Sequence, residues 1–156
     1  MKSSLLFSAI MAVSVIAFGQ TKNDKTEKDA VDARFKEFIA TENRGDSLAV
    51  RKMAWRSPDM LFIATGKADE NGYVGWGIGD AMQHFEILYR LNINIKPEWD
   101  KEKISFLNKD VARIFVPVAI SLPVRPVPNP FYLVTDWIKQ GNEWKLATNI
   151  AIPVPH

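Results

Sequence analysis

Residues 78–95 read IGDAMQHFEILYRLNINI, and this stretch decides the fold. Its first part carries apolar side chains at helical spacing, with Glu86 and Arg90 one turn apart on the polar flank, so we expect a helix from Asp80 to Leu91. Ile93 and Ile95 then alternate with polar neighbours, a pattern typical of a strand. The change of period indicates that helices give way to a sheet at this point. The apolar stripe of the helix is Ile78, Ala81, Met82, Phe85, Leu88 and Tyr89.

Strand patterns follow one another from this point onward. Gly141 and Asn142 are a tight-turn signal, so the last two strands should form an antiparallel hairpin. Pro123 to Pro130 is expected to be a stiff connection and not a central strand, because each proline lacks a ladder donor. Pro117 indicates an edge position or a bulge in its strand. The predicted strands are Asn92 to Lys96 with a continuation through Ile104 to Leu107, Val111 to Leu122, Phe131 to Gln140, and Glu143 to Val154.

Two more helices and one strand are predicted before the deciding stretch. A capping-box pattern and an apolar stripe indicate a first helix from about Asp29 to Asn43. Asp46 or Ser47 can cap a second, shorter helix that ends before Pro58. The remaining two segments are a strand at Met60 to Thr65 and a glycine-rich loop at Gly66 to Gly79.

The first nineteen residues have the pattern of a secretory signal peptide. Lys2 gives a positive start, Leu5 to Phe18 is almost wholly apolar, and Ala17 and Gly19 are small residues at the cleavage positions. We expect cleavage after Gly19 and a periplasmic or secreted protein without stable membrane insertion, because the apolar run is shorter than the roughly 20 residues of a spanning helix. An uncleaved anchor is the alternative. Residues 20–28 are expected to be a flexible leader, and residues 29–156 a single domain.

Composition excludes several classes of function. Lys2 is the only charged residue of the first nineteen, so the rest carries 19 basic and 18 acidic side chains, interspersed, and nucleic acid is not an expected partner. The chain has no cysteine, so its stability has to come from its core. We find no dinucleotide fingerprint, no phosphate-binding loop and no metal-ligand spacing, so no cofactor and no metal are expected.

Three local sequences resemble the nuclear-transport-factor-2-like (NTF2-like) fold, which includes the SnoaL-like proteins. Gly75-Trp76-Gly77-Ile78 resembles the entry to the third helix of that family, and Leu48 to Asp59 resembles its short helix and following turn. Val134-Thr135-Asp136-Trp137 with Gly141-Asn142-Glu143-Trp144-Lys145-Leu146 resembles its final hairpin. The resemblance covers roughly residues 28 to 154. It implies an α+β cone, in which a highly curved antiparallel sheet wraps around a long helix, with further N-terminal helices.

The resemblance implies a pocket between the sheet and the helices. Aromatic side chains would line it and bind a small, partly apolar molecule, although each of them could equally be a core residue. The candidates for ligand binding are Trp55, Tyr73, Trp76, Tyr89, Tyr132 and Trp137.

Two polar side chains are candidates for acid–base chemistry. Asp136 lies in an apolar strand, so its carboxylate is buried if its face points inward and solvated if it points outward. His84 lies on the flank of the third helix, one turn after Asp80, and could be an oriented imidazole or a surface residue. Many SnoaL-like proteins carry a histidine on the last strand, where this chain has Thr148-Asn149-Ile150, which argues against catalysis of that type.

Two functions from different classes are therefore open. The first is a non-catalytic binding domain for a small molecule, and the second is a lyase, isomerase or cyclase that uses Asp136 or His84. A cavity shared by either residue with Tyr73 or Tyr132 would favour the enzyme. We also expect a homodimer, since members of this fold often pair through the outer face of the sheet.

Overall fold

The computed structural model of the protein describes residues 14–65 and 72–155, with the backbone alone at residues 14–24 and 125–126. The chain has the α+β class that was predicted. No helix among the described residues has the length and apolar character needed to cross a membrane. In chain order the elements are α1 (Ser14–Asn43), α2 (Ser47–Met53), β1 (Leu61–Ala64), β2 (Tyr73–Trp76), α3 (Gly77–Arg90), β3 (Asn94–Pro97), a 3-10 turn (Trp99–Lys101), β4 (Lys103–Asn108), β5 (Val111–Leu122), β6 (Arg125–Gln140) and β7 (Glu143–Pro153).

The seven strands form one curved sheet. Their order is β2-β1-β7-β6-β5-β3, and β4 pairs with β5 beside β3. The pairs are antiparallel except β1 and β7, which run parallel, so the sheet is mixed and not wholly antiparallel as expected. The predicted final hairpin of β6 and β7 is confirmed.

The core lies between the inner face of the sheet and helices α1 and α3. Phe38 of α1 contacts Phe85 of α3 and Trp137 of β6 edge to face, with ring centroids 6.0 and 5.8 Å apart. All three rings are fully buried, and each such side chain contributes about 1.5–3 kcal/mol to stability. These contacts hold both helices against the strands that form the site described below.

Helix α1 begins well before the predicted start at Asp29. It includes residues 20–28, which were expected to be a flexible leader. Glu27 forms an ion pair with Lys139 of β6 at 2.5 Å, so this part of the helix contacts the sheet. The segment contains no proline and is rich in Lys, Glu, Asp and Thr, of which Lys and Glu favour helix. The predicted signal peptide lies mostly outside the described residues.

From Arg125 onward the proline-rich segment is part of β6, so the prediction of a stiff connection was wrong there, while Pro123 and Val124 form the turn before the strand. Between Arg125 and Pro130 this strand pairs with β5 alone, since β7 begins its pairing at Phe131. Pro130 lies opposite Ala119, whereas Pro126 and Pro128 lie in the register shift between Asn129 and Arg125, where the ladder with β5 is interrupted. A bulge and a strand paired on a single side are places where a sheet tolerates proline.

Other differences come from interruptions of the predicted strands. The 3-10 turn separates β3 from β4, so the strand that begins near Asn92 does not continue through Ile104 to Leu107, a continuation that the sequence left open. Pro117 of β5 lies opposite the break between β3 and β4. It is not at an outer edge of the sheet, and the register shift of β5 occurs elsewhere, between Ile120 and Leu122. The predicted glycine-rich loop contains β2 and the first turn of α3. The predicted cap of α2 is confirmed, because the Asp46 side chain accepts from the Ala49 N–H.

Candidate functional site

A cavity of about 290 Å³ lies between the inner face of the sheet and helices α1 and α3. Most of its lining is apolar. It is lined by Glu42, Phe62, Ala64, Thr65, Tyr73, His84, Leu88, Ile93, Ile95, Ile120, Leu122, Asn129, Phe131, Leu133, Asn149, Ala151 and Pro153. No lysine or arginine is among these residues.

Glu42 is the most unusual residue of the lining. It lies in the last turn of α1, and its side chain is 3% exposed. No ion pair or hydrogen bond to its carboxyl occurs in the described part of the chain. Burial without a counter-charge raises its pKa to about 8. Glu42 is therefore mostly protonated at pH 7 and can donate a proton into the cavity.

His84 lies in an aromatic cluster on the opposite helix. Its ring stacks on Tyr73, with centroids 4.4 Å apart, and lies 4.6 Å from the ring of Phe62. Partial burial lowers the pKa of His84, so the neutral imidazole predominates at pH 7. His84 and Tyr73 both line the cavity. A cavity shared by these two residues is one of the arrangements that would favour the enzyme.

The expected pair of Asp80 and His84 is not formed. Asp80 instead accepts from the Trp76 N–H at 3.3 Å, and its backbone carbonyl accepts from the Tyr73 hydroxyl at 2.9 Å. The Tyr73 ring is thereby fixed in place beside His84. The Asp80 carboxylate therefore serves the first turn of its own helix.

Asn149 lies on β7 and is one of the polar residues of the lining, together with Thr65 and Asn129. Its side chain is 4% exposed, and its Oδ1 atom is buried without a hydrogen-bond partner in the described part of the chain. A buried carbonyl oxygen without a partner costs about 1–3 kcal/mol.

Asp136, the first catalytic candidate, does not line the cavity. It lies on the outer face of β6 and accepts two hydrogen bonds from Arg113 of β5, at 2.7 and 2.9 Å. The alternate residues Leu133, Thr135 and Trp137 are buried and point inward. Asp136 belongs to a cross-strand ion pair, so of the two alternatives for its carboxylate the structure has the outward-facing one.

Of the six aromatic candidates, Tyr73 lines the cavity and the other five do not. Trp137 is a core residue, and its Nε1–H donates to the Thr135 hydroxyl at 2.9 Å. Tyr132 packs against Phe115, 5.4 Å away, on the outer face of the sheet. Tyr89 stacks on Phe85 behind the cavity, Trp76 is 59% exposed, and Trp55 lies in the connection after α2.

Glu42 and Asn149 were missed by the sequence analysis. Glu42 continues the buried stripe of α1 at Val31, Phe35 and Phe38, so a carboxylate at the next inward position was a usable signal. Asn149 had no such signal. Ala147 is a bulge residue, because Asp136 pairs with Thr148 and Trp137 with Leu146, and this extra residue reverses which positions of β7 face inward.

The lining gives little support for a metal centre. Glu42 and His84 are its only side chains of a common metal-ligating kind. The part of the chain that is described contains no group of three or more His, Cys, Asp or Glu side chains that could hold a metal ion. The arrangement is instead that of a proton donor, a neutral imidazole and an amide in an apolar container.

Solved structures with the same fold include candidate enzymes. A candidate dehydratase of the NTF2-like family from Streptomyces avermitilis is 17% identical, with a TM-score of 0.70 over 85% of this chain and 99% of that one. A candidate scytalone dehydratase from Novosphingobium aromaticivorans is 11% identical, with a TM-score of 0.66 over 86% and 89%. A candidate ketosteroid isomerase from Shewanella frigidimarina is 17% identical, with a TM-score of 0.63 over 78% and 94%.

No protein-family model and no curated protein matches the sequence. At these identities the structural likeness establishes the fold, and the resemblance noted in the sequence is confirmed at that level.

Proposed function

We propose that this chain, which has the NTF2-like fold, binds a small and mostly apolar molecule in its cavity and transfers a proton on it. The observation that carries the proposal is Glu42, a buried carboxyl without a counter-charge inside an apolar cavity. Burying such a group costs stability, and perturbed acids of this kind are concentrated at catalytic sites. Glu42 would be the acid, and His84 would be the base.

The environments of the two groups support this assignment of roles. Burial raises the pKa of Glu42 and lowers that of His84, so at pH 7 the carboxyl holds its proton and the imidazole can accept one. Both side chains line the same cavity, from α1 and α3 respectively. A ligand between the two helices could therefore contact a donor on one side and an acceptor on the other.

The reaction class that fits is elimination or isomerisation. His84 would accept a proton from a carbon atom, the C–H electron pair would form a double bond, and Glu42 would protonate the departing hydroxyl oxygen, which leaves as water. In an isomerisation, Glu42 would protonate an oxygen or carbon of the rearranged skeleton. Transfer of the proton from His84 back to Glu42 restores both groups, so no cofactor is needed.

Non-catalytic binding is the second candidate, and one observation favours it. Asn149 lies on the last strand, in the segment where many SnoaL-like proteins have a histidine, and an amide does not exchange protons at neutral pH. In this case Glu42 would only donate a hydrogen bond to the ligand. The two candidates differ in whether removal of Glu42 and His84 changes turnover or affinity alone.

Ring opening of 5-nitrobenzisoxazole tests the proposal without knowledge of the natural substrate. A base removes the proton from C3 of this uncharged probe while the N–O bond breaks, and the cyanophenolate product is followed by absorbance. This probe needs only a base, so Glu42 contributes to its ring opening once it has lost its own proton. We therefore expect the rate to rise with pH in two steps, one at the lowered pKa of His84 and one near the value of about 8 at which Glu42 becomes a second base. Glu42→Gln should abolish the upper step, and His84→Asn the lower one, each by roughly 100-fold or more.

Asp136→Asn is the matched control for this experiment. It removes a carboxylate of the same kind from the outer face of the sheet, so both steps should be unchanged. Retention of the upper step in Glu42→Gln would contradict the catalytic role, and tight probe binding without turnover in the parent protein would favour the binding candidate.

Export of the protein belongs to the same proposal. The signal pattern of residues 1–19 supports a periplasmic or secreted protein, and N-terminal sequencing of the exported form should give Gln20 as the first residue. An uncleaved N-terminus would contradict the cleavage site. The balanced charge supports a small-molecule partner and not nucleic acid.

A further inference from the structure

We propose that the cavity binds a ring-containing amine, whose ammonium group takes the carboxylate of Glu42 as its counter-ion. This inference rests on the proposed function, because it concerns the ligand of the same cavity. It adds the charge of that ligand and the contact that selects it. In the complex the ligand nitrogen carries the proton, which a neutral amine takes from Glu42, whereas a charged amine enters while Glu42 releases its proton to solvent.

The carboxyl of Glu42 can be reached from the cavity. Glu42 is 3% exposed, and neither of its carboxyl oxygens is among the unpaired polar atoms that protein neighbours occlude completely. The side-chain oxygen of Asn149 and the hydroxyl of Tyr89 are among those atoms. Glu42 has no hydrogen-bond partner in the described part of the chain, so both of its oxygens keep some accessible surface. Because Glu42 lines the cavity, that surface faces the ligand.

A carboxyl at position 42 differs from an amide in its ability to ionise. A glutamine of the same shape could donate a hydrogen bond to a neutral ligand oxygen without the cost of burying an acid. Only a carboxyl can become the counter-charge of a cation. Because burial raises the pKa of Glu42 to about 8, its ionisation at pH 7 costs a factor of about 10 in affinity, which a close ion pair can offset.

The other groups around Glu42 do not oppose a cation. No lysine or arginine is among the lining residues, and partial burial lowers the pKa of His84, so its ring is neutral at pH 7. Tyr89 of α3 lies behind the cavity, and burial beside Glu42 and Asp46 raises its pKa, so its hydroxyl stays protonated. The strands contribute apolar side chains, two amides and the Tyr73 ring, none of them charged at pH 7.

The aromatic side of the cavity suits the same ligand. His84, Tyr73 and Phe62 present ring faces and edges there. The faces of aromatic rings attract a cation within about 6 Å and also stack on flat rings. Glu42 is the only acidic residue of the lining, so the ligand should carry a single positive charge. A volume of about 290 Å³ is at the small end for ligand pockets and suits one or two fused rings.

The test compares 2-naphthylmethylamine with 2-naphthylmethanol, two probes of the same shape that differ in an amino and a hydroxyl group. Affinities are measured at pH 7 by fluorescence titration of the full-length protein. We expect the amine to bind roughly 10-fold or more tightly, because a charge-assisted hydrogen bond replaces a neutral one. In Glu42→Gln the preference should be reversed, since the ammonium group would be desolvated without a counter-charge.

Glu37→Gln is the matched control. Glu37 lies on α1 like Glu42, but its exposed carboxylate pairs with Arg34 and does not line the cavity. This variant should keep the preference for the amine. Glu42→Gln should be at least as stable as the parent protein in urea at pH 7, because it removes a buried group that is destabilised by ionisation. This separates loss of the counter-charge from loss of the fold.

The protonation state of Glu42 gives a readout that apolar packing alone would not change. In 13C NMR, the titration midpoint of its side-chain carboxyl should move from near pH 8 to below pH 7 when 2-naphthylmethylamine is bound. The reason is that a neighbouring ammonium group favours the carboxylate. With 2-naphthylmethanol bound, the midpoint should stay near pH 8.

Equal or tighter binding of the alcohol, or a Glu42 midpoint that stays near pH 8 with the amine bound, would overturn the inference. A preference for the amine that survives in Glu42→Gln would also overturn it, and so would failure of both probes to bind. Ring opening of 5-nitrobenzisoxazole reports on the proposed function separately. Its two rate steps without amine binding would leave proton transfer in the cavity intact, whereas loss of both would mean that the proposed function fails as well.

Discussion

At the scale of single residues, the cavity is defined by polar groups whose surroundings do not satisfy them. Glu42 has no counter-charge, and Asn149 has no donor for its oxygen among the described residues. The outward-facing Asp136 is satisfied, since Arg113 binds its two oxygens. The hydrogen bonds from Arg113 account for the carboxylate of Asp136. Nothing comparable accounts for the carboxyl of Glu42, so its position suggests that a ligand binds there.

The stability of the protein should therefore depend on Glu42 and pH. Because the folded state holds a proton on Glu42 up to about pH 8 and the unfolded state only to about 4.5, folding takes up a proton between these values. Stability falls as pH rises through this window, by up to about 1.4 kcal/mol per pH unit from this group. Urea unfolding at pH 5, 7 and 9 should give Glu42→Gln a stability advantage that grows with pH and levels off above pH 8.

The titration of Glu102 does not affect the stability difference between Glu42→Gln and the parent protein. Burial and Asp32 raise its pKa to about 7, but it titrates in both proteins and cancels in their difference. A stability difference between Glu42→Gln and the parent that is constant from pH 5 to 9 would mean that Glu42 is not buried as an unpaired acid.

The limits of prediction at this scale have a local cause. Position 42 follows from helical periodicity, because one more turn of the α1 stripe reaches it. The inward direction of position 149 does not follow from alternation, because the bulge at Ala147 shifts the parity of β7 relative to Trp144 and Leu146. Alternation along β6 also leaves open which of its two faces points inward. Only the packing of Trp137 against α1 decides between the two faces.

At the scale of elements, the junction between β2 and α3 positions the aromatic side of the cavity. Gly77 starts α3 with φ of +78°, and its N–H donates to the Met60 carbonyl at 2.7 Å. Gly75 lets the Tyr73 ring lie over it, since a Cβ there would come within 2.9 Å of that ring. The two glycines allow a sharp turn from strand to helix, which brings Tyr73 against His84.

Gly77 and Gly79 should respond oppositely to replacement by alanine. Gly77→Ala forces an L side chain into the left-handed region and should destabilise the protein by about 1–2 kcal/mol. Gly79 lies in α3 without a positive φ, and a Cβ added there would meet no atom within 4 Å, so Gly79→Ala should stabilise by about 0.5–1 kcal/mol. Both are measured by thermal unfolding, and changes of the same sign would contradict this view of the junction.

Element boundaries were predictable where a local signal sets them and not where pairing does. Asp46 caps α2 through its own side chain, so that start could be predicted from the sequence. The start of β6 at Arg125 is possible because its first residues pair with β5 and have no neighbouring strand on the other side. This arrangement is a property of the assembled sheet. Prolines at positions 126, 128 and 130 exclude a strand paired on both sides, but not one paired on a single side.

At the scale of the whole molecule, the order of helices and strands predicted the NTF2-like fold only together with the three local sequences that resemble it. It was not enough to predict which face of each strand lines the cavity, because that depends on register over the whole sheet. The outer face of β5, β6 and β7 carries a half-buried pair of rings, Phe115 and Tyr132, together with Ile152, which is 41% exposed. An apolar outer face of this kind is the surface through which we expect two copies to pair.

Sedimentation velocity at micromolar concentration should therefore give a dimer. Tyr132→Lys, which places a charge in the middle of that face, should shift the protein to monomer. Leu48→Lys is the control, because Leu48 is 72% exposed on α2, away from the sheet, and should leave the dimer intact. A monomeric parent protein, or a dimer equally weakened by both variants, would count against pairing through the outer face.

The most direct test of the central claim is a titration of the Glu42 side-chain carboxyl carbon by 13C NMR from pH 3 to 10, with Glu42→Gln identifying the resonance. The claim is that this carboxyl is a proton donor inside a ligand cavity. It predicts a midpoint near pH 8 and a shift of the resonance when 5-nitrobenzisoxazole is added. A midpoint near 4.5 and a resonance indifferent to the probe would contradict it.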